Sequence, residues 1–492
     1  KVSFKRLDLV AYRSFGLIEL RCRRSHAEVC GHHLEGAKHI IRIKGHIFRL
    51  NYLNNLFKIL SLMIEYSLIY HQNIRRLQFQ HNNLLNGYTM ALTLENARFV
   101  AKPIFNKGQR PRELARTMPP HPLSYMELPY DPEYTLYNSR LTPEKLDTAT
   151  DDEMYWAVRT NVIFRHTGEL PIEISGPDAE KLLNRVFTRN VSKVKQGRCS
   201  YQFACYHDGG MITDGVLLRL DEKRFWMAQA DGDLLSWYKA HAEGLDVNIT
   251  DPDVWVSQIQ GPRSLDLLAA VLDGPIPDPF RYFDCAEVSI AGQACWISRS
   301  GFTNELGWEV YLLPDTDIPA IGDHIMDVGK SFNLLLTGTP VFRARRIEAG
   351  LLNAGSDFGE DTTPFEAGLG AFVEFDDRDF VGRKALEGAD KSCRTWGMRV
   401  TGGVAQLGRV MTINGKDTGR VCSSGYSPYQ EYGVCIVRMD DPAHGPGTQV
   451  DVLCADGSIQ RGELCTLPMY DAERLIPRGK LVDIPTKPVG AT

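Results

Sequence analysis

The chain of 492 residues lacks the patterns that mark several special protein classes. Its 11 cysteines show no paired spacing and no Cys-x-x-Cys motif, which argues against a disulfide framework and a zinc site, so we expect no bound metal. Because no run of about 18 uncharged apolar residues occurs, we also expect no membrane span. The scattered cysteines favour a reducing compartment, and we predict a cytoplasmic location.

Proline is absent from residues 1–89, which hold seven of the 13 histidines and a net charge of +9. The remaining residues, 90–492, carry a net charge of −14, which disfavours nucleic-acid binding. This change of composition falls just before Met90. We therefore predict that residues 1–89 are a non-native or disordered N-terminal extension and that Met90 is the natural start.

Beyond the extension, the pattern of apolar runs and turn residues predicts three domains of an α+β protein. The first spans 90–262, with a capped helix start at Thr150–Glu153 and a closing strand at 253–260. The second, also α+β, spans 263–390. The third spans 391–480 and has short alternating strands about ten residues apart, which is typical of a small β-barrel or sandwich.

One candidate for chemistry is the stretch from Tyr201 to Leu220. Two apolar strands flank His207-Asp208-Gly209-Gly210, which predicts a hairpin. Asp214 then opens the return strand with a carboxylate, and Gly215 leaves room beside it for a ligand. The alternative is an aspartate that only bonds its own turn.

A set of short motifs makes the chain from about residue 150 to 472 resemble the folate-dependent aminomethyltransferase family, which includes the T-protein of glycine cleavage. The motifs occur in the family's order. They are Ile174-Ser-Gly-Pro-Asp-Ala179, Gly209-Gly-Met-Ile-Thr-Asp214, Gln260-Gly-Pro262, Arg299-Ser-Gly-Phe-Thr303 with Gly307-Trp-Glu309, Arg346-Ile-Glu-Ala-Gly-Leu351, Pro364-Phe-Glu-Ala-Gly-Leu369, Phe380-Val-Gly-Arg-Lys-Ala-Leu386 and Gly425-Tyr-Ser-Pro428.

The resemblance implies a three-domain cloverleaf with tetrahydrofolate in its central channel. By position, Asp214 matches the family's functional aspartate, Tyr201 a folate-site tyrosine and Glu309 the glutamate that holds the pteridine. A carboxylate suits a pterin edge because it accepts two hydrogen bonds side by side. We also assign Trp308 to the cofactor site.

Arg346 is a further candidate, for the carboxylates of folate or of the substrate, although a solvated basic helix face would explain it equally well. Trp226 and Phe302 are assigned to the substrate, since an aromatic ring can face a methylated cation.

Departures from the family pattern bear on the reaction. Thr213 replaces a second aspartate, Leu218 and Ala354 stand where relatives have tyrosine, and Phe302 lacks a hydroxyl often found there. Within the family the chain resembles the dimethylsulfoniopropionate demethylase branch. We therefore expect a methyltransferase that moves a methyl group from a small sulfonium, betaine, methylamine or methoxy compound to N5 of tetrahydrofolate.

Two other functions stay open. One is an aminomethyltransferase of glycine cleavage that works with a lipoyl carrier protein. The other is a folate-binding scaffold without catalysis, although the Lys-Gly-Cys motif of such relatives is replaced here by Pro364–Gly370. A monomer or homodimer is expected in each case.

Overall fold

The computed structural model describes residues 118–481, together with four short strands nearer the N-terminus. The chain forms two units, Lys1–Tyr88 and Thr89–Thr492. In the first unit Arg13–Ser14 pairs with Leu17–Ile18, and Ile40–Ile43 pairs with His46–Arg49. The rest of the predicted extension lies outside the described residues.

The described part of the second unit begins with a hairpin and a capped helix. Strands β1 (Glu133–Tyr137) and β2 (Arg140–Lys145) pair antiparallel, and helix α1 spans Asp151–Thr160. Thr150 and Glu153 form the predicted capping box, with Glu153 N donating to Thr150 Oγ1 at 3.2 Å and Thr150 N donating to Glu153 Oε2 at 2.8 Å. The capped helix start is therefore confirmed.

The first sheet has five antiparallel strands and two helices packed on one face. Its strand order is β8-β4-β7-β6-β5. In chain order the elements are β4 (Leu170–Ser175), α2 (Ala179–Val186), β5 (Arg198–Cys205), β6 (Met211–Arg219), β7 (Arg224–Gln229), α3 (Leu234–His241) and β8 (Asn248–Thr250).

The predicted hairpin is the pair β5–β6, but its return strand begins at Met211 rather than at Asp214. A bulge between Met211 and Thr213 lets the strand start earlier than the apolar pattern indicates. Asp214 therefore lies inside the strand, opposite Phe203.

The second sheet has six strands in the order β10-β11-β12-β9-β3-β13, and only β3 and β13 pair in parallel. Its elements are β3 (Ile163–His166), β9 (Trp255–Gln260), α4 (Ser264–Val271), β10 (Cys285–Ile290), β11 (Gln293–Ser298), β12 (Gly307–Leu312), α5 (Ile318–Gly329) and β13 (Leu335–Leu336). The strand β9, which we expected to close the first domain, pairs instead with β12 and β3.

After helices α6 (Pro340–Glu348) and α7 (Arg383–Gly388), six strands close into a barrel. They are β14 (Thr395–Val400), β15 (Val410–Ile413), β16 (Lys416–Ser427), β17 (Tyr432–Met439), β18 (Gln449–Leu453) and β19 (Ile459–Cys465). The predicted small β-barrel is confirmed, and the chain has the expected α+β fold. Among the described residues, no helix is long and apolar enough to cross a membrane.

Candidate functional site

A cavity of about 1700 Å³ lies among the two sheets, the segment 350–374 and the chain after the barrel. The first sheet contributes Tyr201, Asp214, Val216 and Ala228, and the second contributes Val256, Glu309 and Tyr311. The faces of the sheets turned away from the cavity pack against helices α2 and α3 or α4 and α5. The rigid sheets therefore fix the positions of the polar side chains that enter the cavity.

Tyr201 and Asp214 form a hydrogen-bonded pair on the cavity face of the hairpin. Tyr201 lies opposite Val216 in the β5–β6 ladder, two residues beyond Asp214, so the two side chains are diagonal neighbours on one face. The Tyr201 hydroxyl donates to Asp214 Oδ2 at 2.7 Å. Burial and the neighbouring Asp214 charge hold the pKa of Tyr201 well above its ordinary value, so the phenol keeps its proton.

The carboxyl group of Asp214 is buried, and its burial raises the pKa to about 6 against the opposing hydrogen bond from Tyr201. Gly215 beside it is required by close packing, because a Cβ there would lie 2.3 Å from the carbonyl oxygen of Ala228. Asp214 is thus held between β5 and β7 with a pKa near neutrality, which suits a group that exchanges charge with a ligand.

Glu309 points into the same cavity from β12 and is surrounded by donors. Gln258 Nε2 donates to its Oε1 at 3.1 Å. Its Oε2 accepts from Ser300 Oγ at 2.8 Å, Tyr311 OH at 2.9 Å and Ser298 Oγ at 3.2 Å. These four hydrogen bonds fix the orientation of the carboxyl group and leave Oε1 as its less saturated oxygen.

A third carboxyl group, that of Glu169, also lines the cavity. Burial and the charge of Glu309 raise its pKa to about 7, against the opposing effects of Arg165 and Arg140. Sequence reasoning missed Glu169 because a single glutamate after His166-Thr167-Gly168 has no periodicity and lies in none of the motifs noted above. Glu169 lies in the cavity wall because the strands on either side of it, β3 and β4, belong to different sheets.

Exposed cations also line the cavity. Four cations there, Lys195, Arg281, Arg478 and Lys480, form no ion pair with the described residues. The cavity therefore has a carboxyl-rich pole, formed by Glu169, Asp214 and Glu309 together with nearby phenols, and a basic mouth, formed by these four cations. Such a wall complements an elongated ligand with N–H donors at one end and anionic groups at the other.

Phe302 lines the cavity, as do Tyr201, Asp214 and Glu309, whereas the two predicted tryptophans do not. Trp308 precedes Glu309 on β12, and adjacent strand residues face opposite sides. Its ring is fully buried in the core behind the sheet and stacks on Phe280 at 5.2 Å. Trp308 therefore does not line the described cavity, and its assignment to the cofactor site stays a prediction.

Trp226 lies on β7 but is covered by the rings of Trp296 and Tyr311, each centred 6.0 Å from it. Its indole N–H donates to Glu173 Oε2 at 2.9 Å. The ring belongs to the packing between the sheets and forms none of the described cavity wall, and the assignment of Trp226 to the substrate stays a prediction.

Arg346 also lies away from the cavity wall. Its Nη1 is 2.7 Å from Asp357 Oδ2, and its Nη2 donates to Ser423 Oγ at 2.6 Å. Ser423 belongs to barrel strand β16, so the guanidinium joins helix α6 to the barrel. These contacts give Arg346 a structural role, and its predicted contact with folate or substrate stays a prediction. Neither Arg343 nor Arg345 lines the described cavity.

Among the departures from the family pattern, Thr213 and Leu218 are fully buried. Thr213 Oγ1 donates to the carbonyl oxygen of Asp231 at 2.9 Å, and Leu218 packs in the core between the sheets. Neither offers a proton-transfer group to the cavity. Asp214 is thus the one carboxyl group that the stretch Thr213–Leu218 supplies.

Comparison with known proteins identifies the family. The family model described as the GCVT N-terminal domain matches residues 121–377, slightly more than half of the chain. The chain therefore belongs to the folate-dependent aminomethyltransferase family, to which the T-protein of glycine cleavage belongs. The resemblance inferred from the sequence motifs is confirmed.

Two relatives with different names match this chain at similar identity. Dimethylsulfoniopropionate demethylase DmdA of Ruegeria pomeroyi is 32% identical over 333 residues, covering 66% of this chain and 90% of the relative. An aminomethyltransferase of Streptomyces coelicolor is 30% identical over 342 residues, covering 66% and 91%. The two relatives are equally similar, so identity alone does not choose between their reactions.

The crystal structure of the glycine cleavage system aminomethyltransferase T from Bartonella henselae has the same fold. It superposes with a TM-score of 0.65 at 22% sequence identity and covers 72% of this chain and 99% of the other. The predicted cloverleaf fold of the T-protein type is thereby confirmed.

Proposed function

We propose that this protein transfers a methyl group from a small methylated donor, of the sulfonium, betaine, methylamine or methoxy type, to N5 of tetrahydrofolate. The observation that carries the proposal is the cavity itself. The Tyr201–Asp214 pair and Glu309 form its carboxyl-rich pole, and the mouth holds exposed cations that have no ion-pair partner in the described part of the chain. Because the two relatives are a demethylase and an aminomethyltransferase, the identity of the donor is the part of the proposal that an experiment must determine.

The residues of the cavity fit tetrahydrofolate. A pterin edge presents adjacent N–H donors, which suit Glu309 Oε1, the oxygen of that carboxylate that accepts a single hydrogen bond from the described residues. Apolar side chains such as Leu352 and Phe372 line the wall between the pole and the mouth. The cations of the mouth suit the glutamate carboxylates. Tetrahydrofolate, when bound, supplies N5 as the nucleophile that receives the methyl group.

Asp214 provides the charge chemistry of the proposed reaction. A sulfonium or quaternary ammonium leaves as a neutral sulfide or amine, so it needs no proton from the protein. The carboxylate of Asp214, ionised above its pKa of about 6, stabilises positive charge at the acceptor and can take up the proton that the acceptor nitrogen loses. Tyr201 keeps the carboxylate aimed, since its hydroxyl is bound to Oδ2.

Aminomethyl transfer, with a lipoyl carrier protein as partner, is the second candidate, because aminomethyltransferases of about 30% identity cover most of their length with this chain. It requires a proton for the departing ammonia in addition to the positioning of folate. Thr213 stands where that branch has a second aspartate, and its hydroxyl donates a hydrogen bond to the carbonyl oxygen of Asp231. This loss of a proton-transfer group supports methyl transfer over aminomethyl transfer.

The test is to incubate the protein with tetrahydrofolate and separate donors: dimethylsulfoniopropionate, glycine betaine, dimethylamine and an aryl methyl ether. We expect one donor class to yield 5-methyltetrahydrofolate. Formation of 5,10-methylenetetrahydrofolate and ammonia from an aminomethylated lipoyl carrier would instead establish the second candidate. Tight folate binding without turnover of any donor would indicate a scaffold.

A further inference from the structure

Glu169 is held at the carboxyl-rich pole by the fold rather than by a side-chain partner. It ends the turn between β3, in the second sheet, and β4, in the first. Arg140 Nη1 donates to its carbonyl oxygen at 2.9 Å, and Asn138 Nδ2 donates to the carbonyl of Gly168 at 3.2 Å. A Cβ on Gly168 would lie 2.8 Å from Thr142 Cγ2, so the β1–β2 hairpin packs tightly against the turn.

The three carboxyl groups of the pole differ in how they are bonded. Glu309 accepts four side-chain hydrogen bonds, and Asp214 accepts one from Tyr201. Oε2 of Glu169 is buried and receives no hydrogen bond from any described residue. Leaving a buried carboxyl oxygen unbonded is unfavourable, so a fold that keeps it beside a cavity leaves a place for a ligand.

The charge balance of the pole indicates what that ligand is. The charged groups near Glu169 are Arg165 on β3, Arg140 on β2 and Glu309 on β12. Tyr137 on β1 lies near both Glu169 and Asp214. The two arginines lie outside the cavity wall, and Arg165 is bound to Thr339 Oγ1 at 3.0 Å. A neutral pterin edge compensates one carboxylate by hydrogen bonding but brings no positive charge, and the arginines that face Glu169 stay outside the cavity wall.

Resting on the function proposed above, we infer that Glu169 binds the positively charged atom of the methyl donor and so restricts the donors to sulfonium and ammonium compounds. The carboxylate of Glu169 lies next to the cation, while Glu309 and the Tyr201–Asp214 pair remain with folate. A donor with a neutral leaving oxygen, such as an aryl methyl ether, gains nothing from this charge. The donor class is thereby narrowed from four to the three that carry a cation.

Proton release on donor binding gives a readout that a merely structural role would not produce. The pKa of Glu169, raised to about 7, leaves the free protein partly protonated there at neutral pH. A bound cation favours the ionised form, so donor binding should release protons to the buffer. Calorimetry at pH 7 in two buffers of different ionisation enthalpy measures the number released.

The test compares Glu169→Gln with Glu374→Gln, a matched change of a cavity-lining carboxylate that pairs with Lys193. Dimethylsulfoniopropionate, glycine betaine, dimethylamine and an aryl methyl ether are titrated separately into each protein, and tetrahydrofolate serves as the second ligand. For the cationic donor that binds, we expect Glu169→Gln to raise Kd about tenfold or more and to abolish proton release. Glu374→Gln should leave both unchanged, and folate affinity should stay within about twofold in both variants.

Several outcomes would overturn the inference while leaving the proposed function in place. These are an unchanged donor Kd in Glu169→Gln, an equal loss for an aryl methyl ether, a loss of folate rather than donor binding, or folate binding with no affinity for any cationic donor. If Glu169→Gln does not fold, proton release by the unmodified protein still decides the matter, and its absence refutes the role. Failure of the unmodified protein to bind tetrahydrofolate would instead refute the proposed function.

Discussion

The hydroxyl of Tyr201 donates to Oδ2 of Asp214 at 2.7 Å across two paired strands, although 13 residues separate them along the chain. The hairpin register sets this contact: Asp214 is paired with Phe203, so its diagonal neighbour on the same face is Tyr201. Slipping the register by one residue would turn one of the two side chains to the opposite face. The hairpin therefore determines the proposed catalytic pair.

Asp214→Asn should lower the turnover number on the order of 100-fold, the effect typical of removing one preorganised electrostatic group. The amide keeps the shape and the bond to Tyr201 but loses the charge. Folate affinity and the melting temperature should change little. Steady-state kinetics with calorimetry checks this, and a variant that forms 5-methyltetrahydrofolate at the parent rate would show that Asp214 is only a strand residue.

Tyr201→Phe should shift the acid limb of the pH–rate profile to higher pH. The hydrogen bond from Tyr201 lowers the pKa of Asp214, which burial has raised to about 6, so removing the bond raises that pKa further. The profile of kcat/KM from pH 5 to 8 measures the shift. Phe203 offers a control, because it is a buried neighbour without a hydroxyl: Phe203→Leu should leave the limb in place.

Protein stability should fall as pH rises through the titration of Glu169. Its pKa is raised from 4.5 to about 7, so between these values the folded state binds more protons than the unfolded state. Glu169→Gln removes this dependence. The melting temperature of Glu169→Gln should thus match the parent near pH 4.5 and exceed it above pH 7, by about 2–4 °C for each kcal/mol. A constant difference across this range would contradict the assignment.

Glu309→Gln should weaken tetrahydrofolate binding by about 1.5–3 kcal/mol, the range for a hydrogen bond to a charged group. The new amide also places N–H donors against Ser300, Tyr311 or Gln258, so the melting temperature should fall too. Ser300→Ala separates the two effects, because it removes one support and leaves the carboxylate. Unchanged folate affinity in Glu309→Gln by calorimetry would remove Glu309 from the site.

Arg346→Ala should destabilise the protein by about 3–5 kcal/mol without changing the Kd for tetrahydrofolate. The change leaves Asp357 fully buried and without its cation. Chemical denaturation gives the free energy, and calorimetry gives the Kd. Arg343→Ala is the exposed control on the same helix and should cost less than about 1 kcal/mol. Folate affinity that falls with Arg346→Ala at full folding would restore Arg346 to the site.

The sequence motifs were sufficient to predict the family and the fold, because each motif is a short contiguous stretch that can be recognised without knowing the tertiary structure. The capping box at Thr150 and the barrel strands likewise follow from short-range patterns. The strand expected at 253–260 is present as β9, but its pairing with β12 and β3 was not predicted, because apolar periodicity predicts a strand and not its partner. Tertiary pairing decided that question.

For the site, Tyr201, Asp214, Glu309 and Phe302 were predicted as candidates and line one cavity, but their roles remain predictions. Trp308 could not share that cavity with Glu309, since neighbours on a strand face opposite sides. The ring of Trp226 packs against Trp296 and Tyr311, and the guanidinium of Arg346 pairs with Asp357. Each of these depends on contacts between residues distant in the chain, which composition and spacing do not contain.

The two walls of the cavity belong to different sheets, and a short antiparallel bridge, Arg198 opposite Asp284, joins their edge strands. A ligand that contacts Asp214 on one wall and Glu309 on the other therefore also links the two sheets. Bound ligand should make the two halves melt together and slow amide exchange in β5 and β10, whereas the empty protein is free to open along that seam first. Unfolding should then become more cooperative when the protein is saturated with folate.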